Sequence, residues 1–414
     1  MKFLLKLIIL SSFIFGNFLE LYGTGERYHY ISSSGVGLGE SYFFSGNKDN
    51  INNSFVASHW KSNLTHIYIS TKFKSNIGGY SDKDFNLSAF SFTFPFLKNK
   101  TLSFGLHPYT RSDVTIIEDT GYNYSQETSE FSDYPLHTSS LYNFYGGISN
   151  IYSAVSFNIY KFISLGLKLN YLFGNQYKTN KITLSTFESS FDDSDNIFVP
   201  QDSTFHIQFN KFSGSSLQLD FILDFTNHQF TFTSTLMGPL NITSRTYYNL
   251  YNLSDPLERF TLNDYSFLTI NSGTDLLVYE PYYENSIREN ISINDFNDRV
   301  SDIGLGYCFK ADKSGIILEH RRTNLFTNSS LLNNGIQIFN KNQPSVYSVH
   351  MGYYRKLIIS QAALVNSVVL RFGGYYKKLD FGKDTGTDLG LTIGTGVSIN
   401  NNSDLIDIGI KFGR

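Results

Sequence analysis

Bulky apolar residues alternate with small or polar ones in segment after segment from Leu64 onward, and this pattern constrains the fold more than any other feature of the chain. Ile163-Ser164-Leu165-Gly166-Leu167-Lys168-Leu169-Asn170-Tyr171-Leu172-Phe173 is the plainest case, and the same dyad recurs around Phe90, Leu217 and Leu389. Period-two alternation places one residue type on each face of a strand. A strand of about 9–11 such residues is what crosses a bilayer in a β-barrel. The pattern predicts strands over 64–73, 87–96, 101–108, 151–160, 163–173, 204–225 (long, or broken near Gly214), 229–236, 302–310, 315–321, 346–355, 367–377, 389–399 and 405–412. Single-chain barrels take an even strand number, so 265–271 is the candidate that completes the count, unless the long segment splits.

The expected fold is therefore all-β: a transmembrane antiparallel β-barrel of about 14 strands, with a short N-terminal luminal plug or latch. Short turns such as Lys98-Asn99-Lys100 and Lys161-Phe162 alternate with long polar connections over 109–150, 175–203 and 238–301. That asymmetry is how such barrels sit in the bacterial outer membrane, long loops outward. An extracellular β-sandwich or propeller also alternates. Here, however, one face is nearly all Leu, Ile, Phe and Tyr, and no blade-length repeat occurs.

Composition narrows the function classes. The 38 Phe and 29 Tyr, against 17% charged residues, suit a lipid-facing band with interfacial girdles. No apolar run is long enough for a membrane helix. A net charge of −3 lacks the concentrated basic face that nucleic acid requires. Cys308 is the sole cysteine, which excludes an intrachain disulfide, and its register with Gly304 and Gly306 aims it at the lumen.

Lys2 and Lys6 with the apolar run that follows read as a signal peptide over 1–23, cleaved after Gly16 or Gly23. Residues 24–63, glycine-rich and non-alternating, form the expected plug or latch, and 64–414 the barrel. Irregular backbone is tolerated inside a barrel only where protein or lumen water satisfies it. Gly35, Gly37, Gly39, Asn53 and Trp60 are the candidate gate residues, against a plainer reading in which the glycines make turns and Trp60 packs at the barrel mouth.

No nucleophile, base and orienting group converge at a recognisable spacing, so no catalytic residue and no enzyme activity is expected, although His66, His107, His206 and His320 read as lumen-facing and Asp220 and Asp224 share a face. Asp192-Asp193-Ser194-Asp195-Asn196 lacks the spacing of a calcium loop, and no metal or other cofactor is expected. Arg321-Arg322 beside Glu319-His320 reads either as a rim touching lipid phosphate or as a salt bridge with Glu319.

Gly37-Leu38-Gly39 followed by Asn53-Ser54-Phe55-Val56-Ala57-Ser58-His59-Trp60 resembles the start of FadL/TodX-type hydrophobic-compound transport barrels and their PorV-like relatives, without the proline of the Asn-Pro-Ala element. Ser103-Phe104-Gly105-Leu106-His107-Pro108-Tyr109-Thr110, Tyr145-Gly146-Gly147-Ile148, Ser164-Leu165-Gly166, Tyr171-Leu172-Phe173-Gly174 and the stretch Ser403-Asp404-Leu405-Ile406-Asp407-Ile408-Gly409-Ile410-Lys411-Phe412-Gly413-Arg414 are similar to later elements of that group. The resemblance implies passive transport of a fatty-acid-like solute, gated by the N-terminal segment. The partners it implies are outer-membrane lipid and a hydrophobic small-molecule ligand. Two alternatives stand beside it: a PorV-like accessory barrel that binds a secreted or surface protein through its long loops, and a general diffusion porin.

Overall fold

A computed structural model describes residues 26–27, 31–44, 52, 54–75, 83–122, 136–188, 197–249, 268–270, 277–279, 287–293, 300–324, 345–359, 365–380, 385–399 and 404–413. The short pieces come first: β1 (Glu26–Arg27), helix α1 (Ser33–Val36) and a 3-10 helix over Val56–Lys61. Then follow β2 (His66–Ser75), β3 (Lys83–Leu97), β4 (Lys100–Tyr122), β5 (Leu136–Tyr160), β6 (Ile163–Glu188), β7 (Ile197–Asp224), β8 (His228–Asn249), β9 (Leu268–Ile270), β10 (Leu277–Tyr279), β11 (Ile287–Ile293), β12 (Val300–Lys310), β13 (Ser314–Asn324), β14 (Ser345–Ile358), β15 (Val365–Asp380), β16 (Thr385–Ile399) and β17 (Asp404–Gly413). One antiparallel sheet runs in sequence order from β2 through β8 to β12 and on to β17. β11 and β12 pair with successive stretches of β8, so together they hold one place in the wall. The described residues thus give thirteen places in the sheet against about 14 expected.

Burial along the strands is inverted relative to a water-soluble protein. Leu389, Leu391 and Ile393 are 64%, 71% and 48% exposed, whereas Thr392 between them is 2% exposed. Ile303, Leu305 and Phe309 likewise point outward while Asp302 and Cys308 are buried, the register expected for Cys308. Apolar side chains outside and Ser, Thr, Asn and Gln inside is the arrangement hydrocarbon selects. Among the described residues no helix is long and apolar enough to cross a membrane.

Two expectations change. β4 to β8 are 22–28 residues long and continue through stretches read as the loops 109–150, 175–203 and 238–301. Beyond the apolar band outward positions such as Asn175 and Lys211 are polar while apolar residues such as Phe212 and Ile242 turn inward, so the lipid-facing dyad disappears from the sequence while ladder pairing continues. The candidate strand 265–271 is also displaced: Leu268–Ile270 pairs with Leu277–Tyr279 in a separate two-stranded sheet. The 204–225 segment is unbroken as β7, with a register shift between Gly214 and Ser216.

Candidate functional site

Residues 32–44 and 54–61 pack against the inward face of the wall, touching one strand after another. The chain turns at α1, whose N-cap Ser32 accepts from Gly35 N–H. A Cβ on Gly37 would lie 2.7 Å from Gly394 Cα of β16. Gly39 has φ +77° and a backbone that abuts Met351 and Gly374, so both the conformation and the space demand glycine there. Phe43 then covers Gly304 and Gly306 of β12, and Ala57 N would be 2.5 Å from a Cβ on Gly166 of β6. The wall glycines form a track fitted to this segment.

Two buried carboxylates hold it by its main chain. Glu319 on β13 accepts from the Ser41 hydroxyl, from Tyr42 N–H at 2.8 Å and from Phe43 N–H at 3.2 Å. Asp220 on β7 accepts from Val56 N–H at 2.7 Å, Thr233 at 2.6 Å and Gln218 at 2.9 Å. Charge-assisted bonds of this kind satisfy the backbone that an irregular segment leaves open. Arg321 follows neither of its two readings, a lipid-phosphate rim or a salt bridge with Glu319: buried, it bonds Asp302 at 2.5 Å and lies 3.8 Å over the Tyr42 ring. His320 and Arg322 flank it on the exposed face, so His320 is not luminal. Tyr42, Phe43, Phe44 and Phe55 gather with Leu38, Ala57 and Cys308 into an apolar knot.

Ion pairs pin both ends. Glu40 meets Lys377 at 2.6 Å and Lys411 at 2.9 Å, and Lys61 meets Asp224 at 2.7 Å. Burial alone would raise the Glu40 pKa, but the two ammonium groups outweigh it and hold the carboxyl well below the usual carboxylate range. His59 is fully buried, with Nε2 donating to Asn52 O at 3.0 Å and Nδ1 accepting from Ser103 at 2.8 Å. Burial pushes its pKa down to about 4.

Gly35, Gly37 and Gly39 therefore sit in the docked segment. Trp60 N–H donates to Ser156 at 3.2 Å, and the indole Nε1 is buried without a partner among the described residues. Asn53 and the 192–196 cluster lie outside the described residues, and the His206 side chain is not described. Sequence reasoning missed Glu40, Asn52, His59, Asp220 and Glu319 as the residues that fasten the segment. Asp220 and Glu319 signalled only as isolated acids on otherwise bland strands, and Glu40, Asn52 and His59 only as polar residues of the irregular N-terminal stretch.

Above the segment, a recess of about 560 Å³ opens in the wall across β4 to β8. Phe104, Ile151, Leu169, Tyr171, Leu217 and Leu236 line it from the outward face, and Tyr152, Asn170 and Ser216 from the inward one. At this level Gly214 pairs with Leu240 and Ser216 with Met237, leaving Ser215, Gly238 and Pro239 out of the β7–β8 pairing, although Ser215 still pairs with Tyr171 of β6. Such a bulge disrupts pairing locally, and proline cannot donate to the ladder at all. Just behind, Tyr109, Ile148, Leu172, Phe212, Met237, Leu240 and Ile242 form an apolar cluster on the inner side.

A lipid-exposed antiparallel wall around a docked N-terminal segment defines an outer-membrane β-barrel of FadL-type architecture. The BamG family model matches residues 44–414, and the chain belongs to that family. Among solved structures, a Pseudomonas aeruginosa FadL homologue aligns with TM-score 0.50 and 11% identity over 94% of this chain and 90% of that one, a likeness of fold. A structure described as the CymD monoaromatic hydrocarbon channel aligns at TM-score 0.42 and 11% identity, over 94% and 90% of the two chains. No curated protein matches the sequence.

Proposed function

We propose that this barrel binds hydrophobic small molecules, fatty-acid-like in chemistry, and passes them across the outer membrane without catalysis, with the 24–63 segment as the barrier across the lumen. The observation that carries this reading is the wall recess. Residues of both faces of one sheet line a single cavity, with hydrocarbon-facing side chains on one side and an apolar luminal cluster on the other. An apolar solute gains about 25 cal/mol per Å² removed from water at each step along such a path. A general diffusion porin would want a wide wet lumen with charged rings, and the packing of 32–44 and 54–61 on the inward face of the wall speaks against that.

The test is reconstitution: vesicles carrying the protein should take up a fluorescent fatty acid while planar bilayers show little ion current, and deletion of 35–46 or Trp60→Ala should change uptake. A large steady current through the intact protein, or uptake indifferent to both variants, contradicts the reading.

The accessory-barrel reading has one observation in its favour. β4 to β8 rise past the apolar band, and there Tyr145 stacks on Tyr177 while Tyr177 meets Phe209 at a tilt, each pair 4.8 Å between ring centroids. A secreted or surface protein bound to this face would cross-link to a photoreactive residue at Tyr145. Cross-linking to lipid alone would leave only the transport reading.

A further inference from the structure

We infer that the outward face of β13 to β15 carries a binding site for the phosphate-bearing head of an outer-leaflet lipid, built from Arg322 and Lys378 with Tyr347 between them. The site is independent of what passes through the barrel. On each of the three strands the lipid-facing apolar run ends at this place. Ile316 and Leu318, 56% and 47% exposed, lead to His320 and Arg322 on β13. Met351 and Val349 lead to Tyr347 on β14, and Phe372 and Tyr376 lead to Lys378 on β15. The two cations therefore stand where hydrocarbon gives way to lipid heads. The side is the outer one, because β13 ends at Asn324 before the long connection to Ser345, whereas the short turn 311–313 lies at its other end.

Register brings the residues together. Arg322 pairs with Tyr347 and Tyr347 with Lys378, so the two cations flank β14 on main chains about 10 Å apart, a gap that two long side chains close around one anion. The Arg322 guanidinium lies 5.6 Å from the centroid of the Tyr347 ring, a cation–π contact that holds it over β14 on the side of Lys378. Inward, the adjacent cations are all neutralised: Arg321 by Asp302, Lys377 by Glu40 and Arg371 by Asp407. Outward, Arg322 and Lys378 are exposed, and among the described residues no carboxylate pairs with either. Their counter-ion comes from outside the chain. A phosphate suits both, since the guanidinium fork grips two of its oxygens while the ammonium acts as a point charge. An acidic protein offers carboxylates as well, but a lipid phosphate lies at this depth of its own accord, with its acyl chains against Leu318, Val349 and Tyr376.

The test is lipid retention by the purified full chain in detergent, followed by native mass spectrometry. Dioleoylphosphatidate should be held about tenfold more tightly than dioleoylglycerol, which has the same chains and no phosphate. The double variant Arg322→Gln with Lys378→Gln should lose that preference, and Arg322→Lys with Lys378→Arg should keep most of it. Lys211→Gln, which removes an exposed cation of β7, should leave it unchanged. Each variant is checked for heat-modifiable migration in gels, and if the double variant does not fold, Arg322→Gln alone should weaken retention severalfold. Equal retention of dioleoylglycerol, or a full preference in the folded variants, overturns the site. Displacement of phosphatidate by an equal concentration of inorganic phosphate would assign the cations to a free ion, and displacement by an equal concentration of decaglutamate would assign them to an acidic protein; either result overturns the lipid assignment.

Discussion

The Asp220 carboxylate on β7 accepts the backbone N–H of Val56 at 2.7 Å, and it does so with no residual exposure to lumen water beyond 2%. Together with Glu319 on β13, it joins the irregular N-terminal segment to the wall largely through main-chain N–H groups, those of Tyr42, Phe43 and Val56. Removing a charged acceptor strands a buried N–H and costs about 1.5–3 kcal/mol. Asp220→Ala and Glu319→Ala should therefore loosen the segment by roughly tenfold or more in its docking equilibrium. Cys308 reports this directly, since the sole thiol lies in the knot beneath Tyr42, Phe43 and Phe44. Its maleimide labelling should accelerate accordingly in both variants, and an unchanged rate would contradict the role given to these acids.

Gly39 tests the fit of the segment to its track. With φ +77° and the Gly374 backbone against it, a side chain there faces both strain and collision. Gly39→Val should destabilise the docked state by about 1–3 kcal/mol. The readout is the temperature at which heat-modifiable gel migration is lost, expected to fall in Gly39→Val and to stay put in an outward control such as Ile408→Val.

Acid should undock the segment, with a sign that follows from His59. Its pKa of about 4 in the folded protein lies below the unfolded value of 6.5, so the unfolded form binds the extra proton. The stability from burying neutral His59 is complete above about pH 6.5 and is lost progressively as the pH falls toward about 4, up to roughly 3 kcal/mol. Glu40, also held low, begins to lose its contribution only below its ordinary value of 4.5. Cys308 labelling at pH 5, normalised to the denatured protein at the same pH, should exceed that at pH 7.5. His59→Gln should flatten the difference; a wild-type profile flat from pH 7.5 to pH 5 would contradict it.

The lipid-facing band predicts a depth-dependent penalty. Leu169, 56% exposed, and Leu391, 71% exposed, point outward. An arginine at either position should cost up to about 2–4 kcal/mol if it lies near the bilayer midplane, read as a loss of folded protein in vesicle-refolding titrations. Thr235→Val on the inward face should leave insertion unchanged.

What the sequence disclosed and what it hid follow from the same physics. The wall was legible because hydrocarbon demands contrast between adjacent residues, as at Leu389, Gly390 and Leu391. The extensions of β4 to β8 were not, because beyond the band exposed polar residues such as Asn175 and Lys211 stand opposite an inward face that mixes Gln176 with Phe212, and no consistent apolar face marks the strand. Gly304, Gly306 and Gly394 appeared as ordinary inward glycines, since the segment they accommodate lies hundreds of residues away in the chain. Glu319 looked like a partner for the adjacent Arg321, but side chains two apart on a strand share a face with cross-strand neighbours too, and Asp302 on β12 claimed the guanidinium. The bulge at Gly238-Pro239 looked like the end of a strand, because a proline after a glycine reads as a turn until a ladder continues beyond it.

The measurement closest to the central claim is a nitroxide scan along β16. Spin labels placed singly at 389 to 393 in a Cys308→Ser background, in lipid vesicles, would be scored for collision with oxygen and with a water-soluble nickel complex. Oxygen accessibility should peak at 389, 391 and 393 and drop at 390 and 392, with the nickel complex excluded from the peaks. Uniform access of the nickel complex to all five positions, or no alternation, would show that water rather than hydrocarbon covers the apolar face.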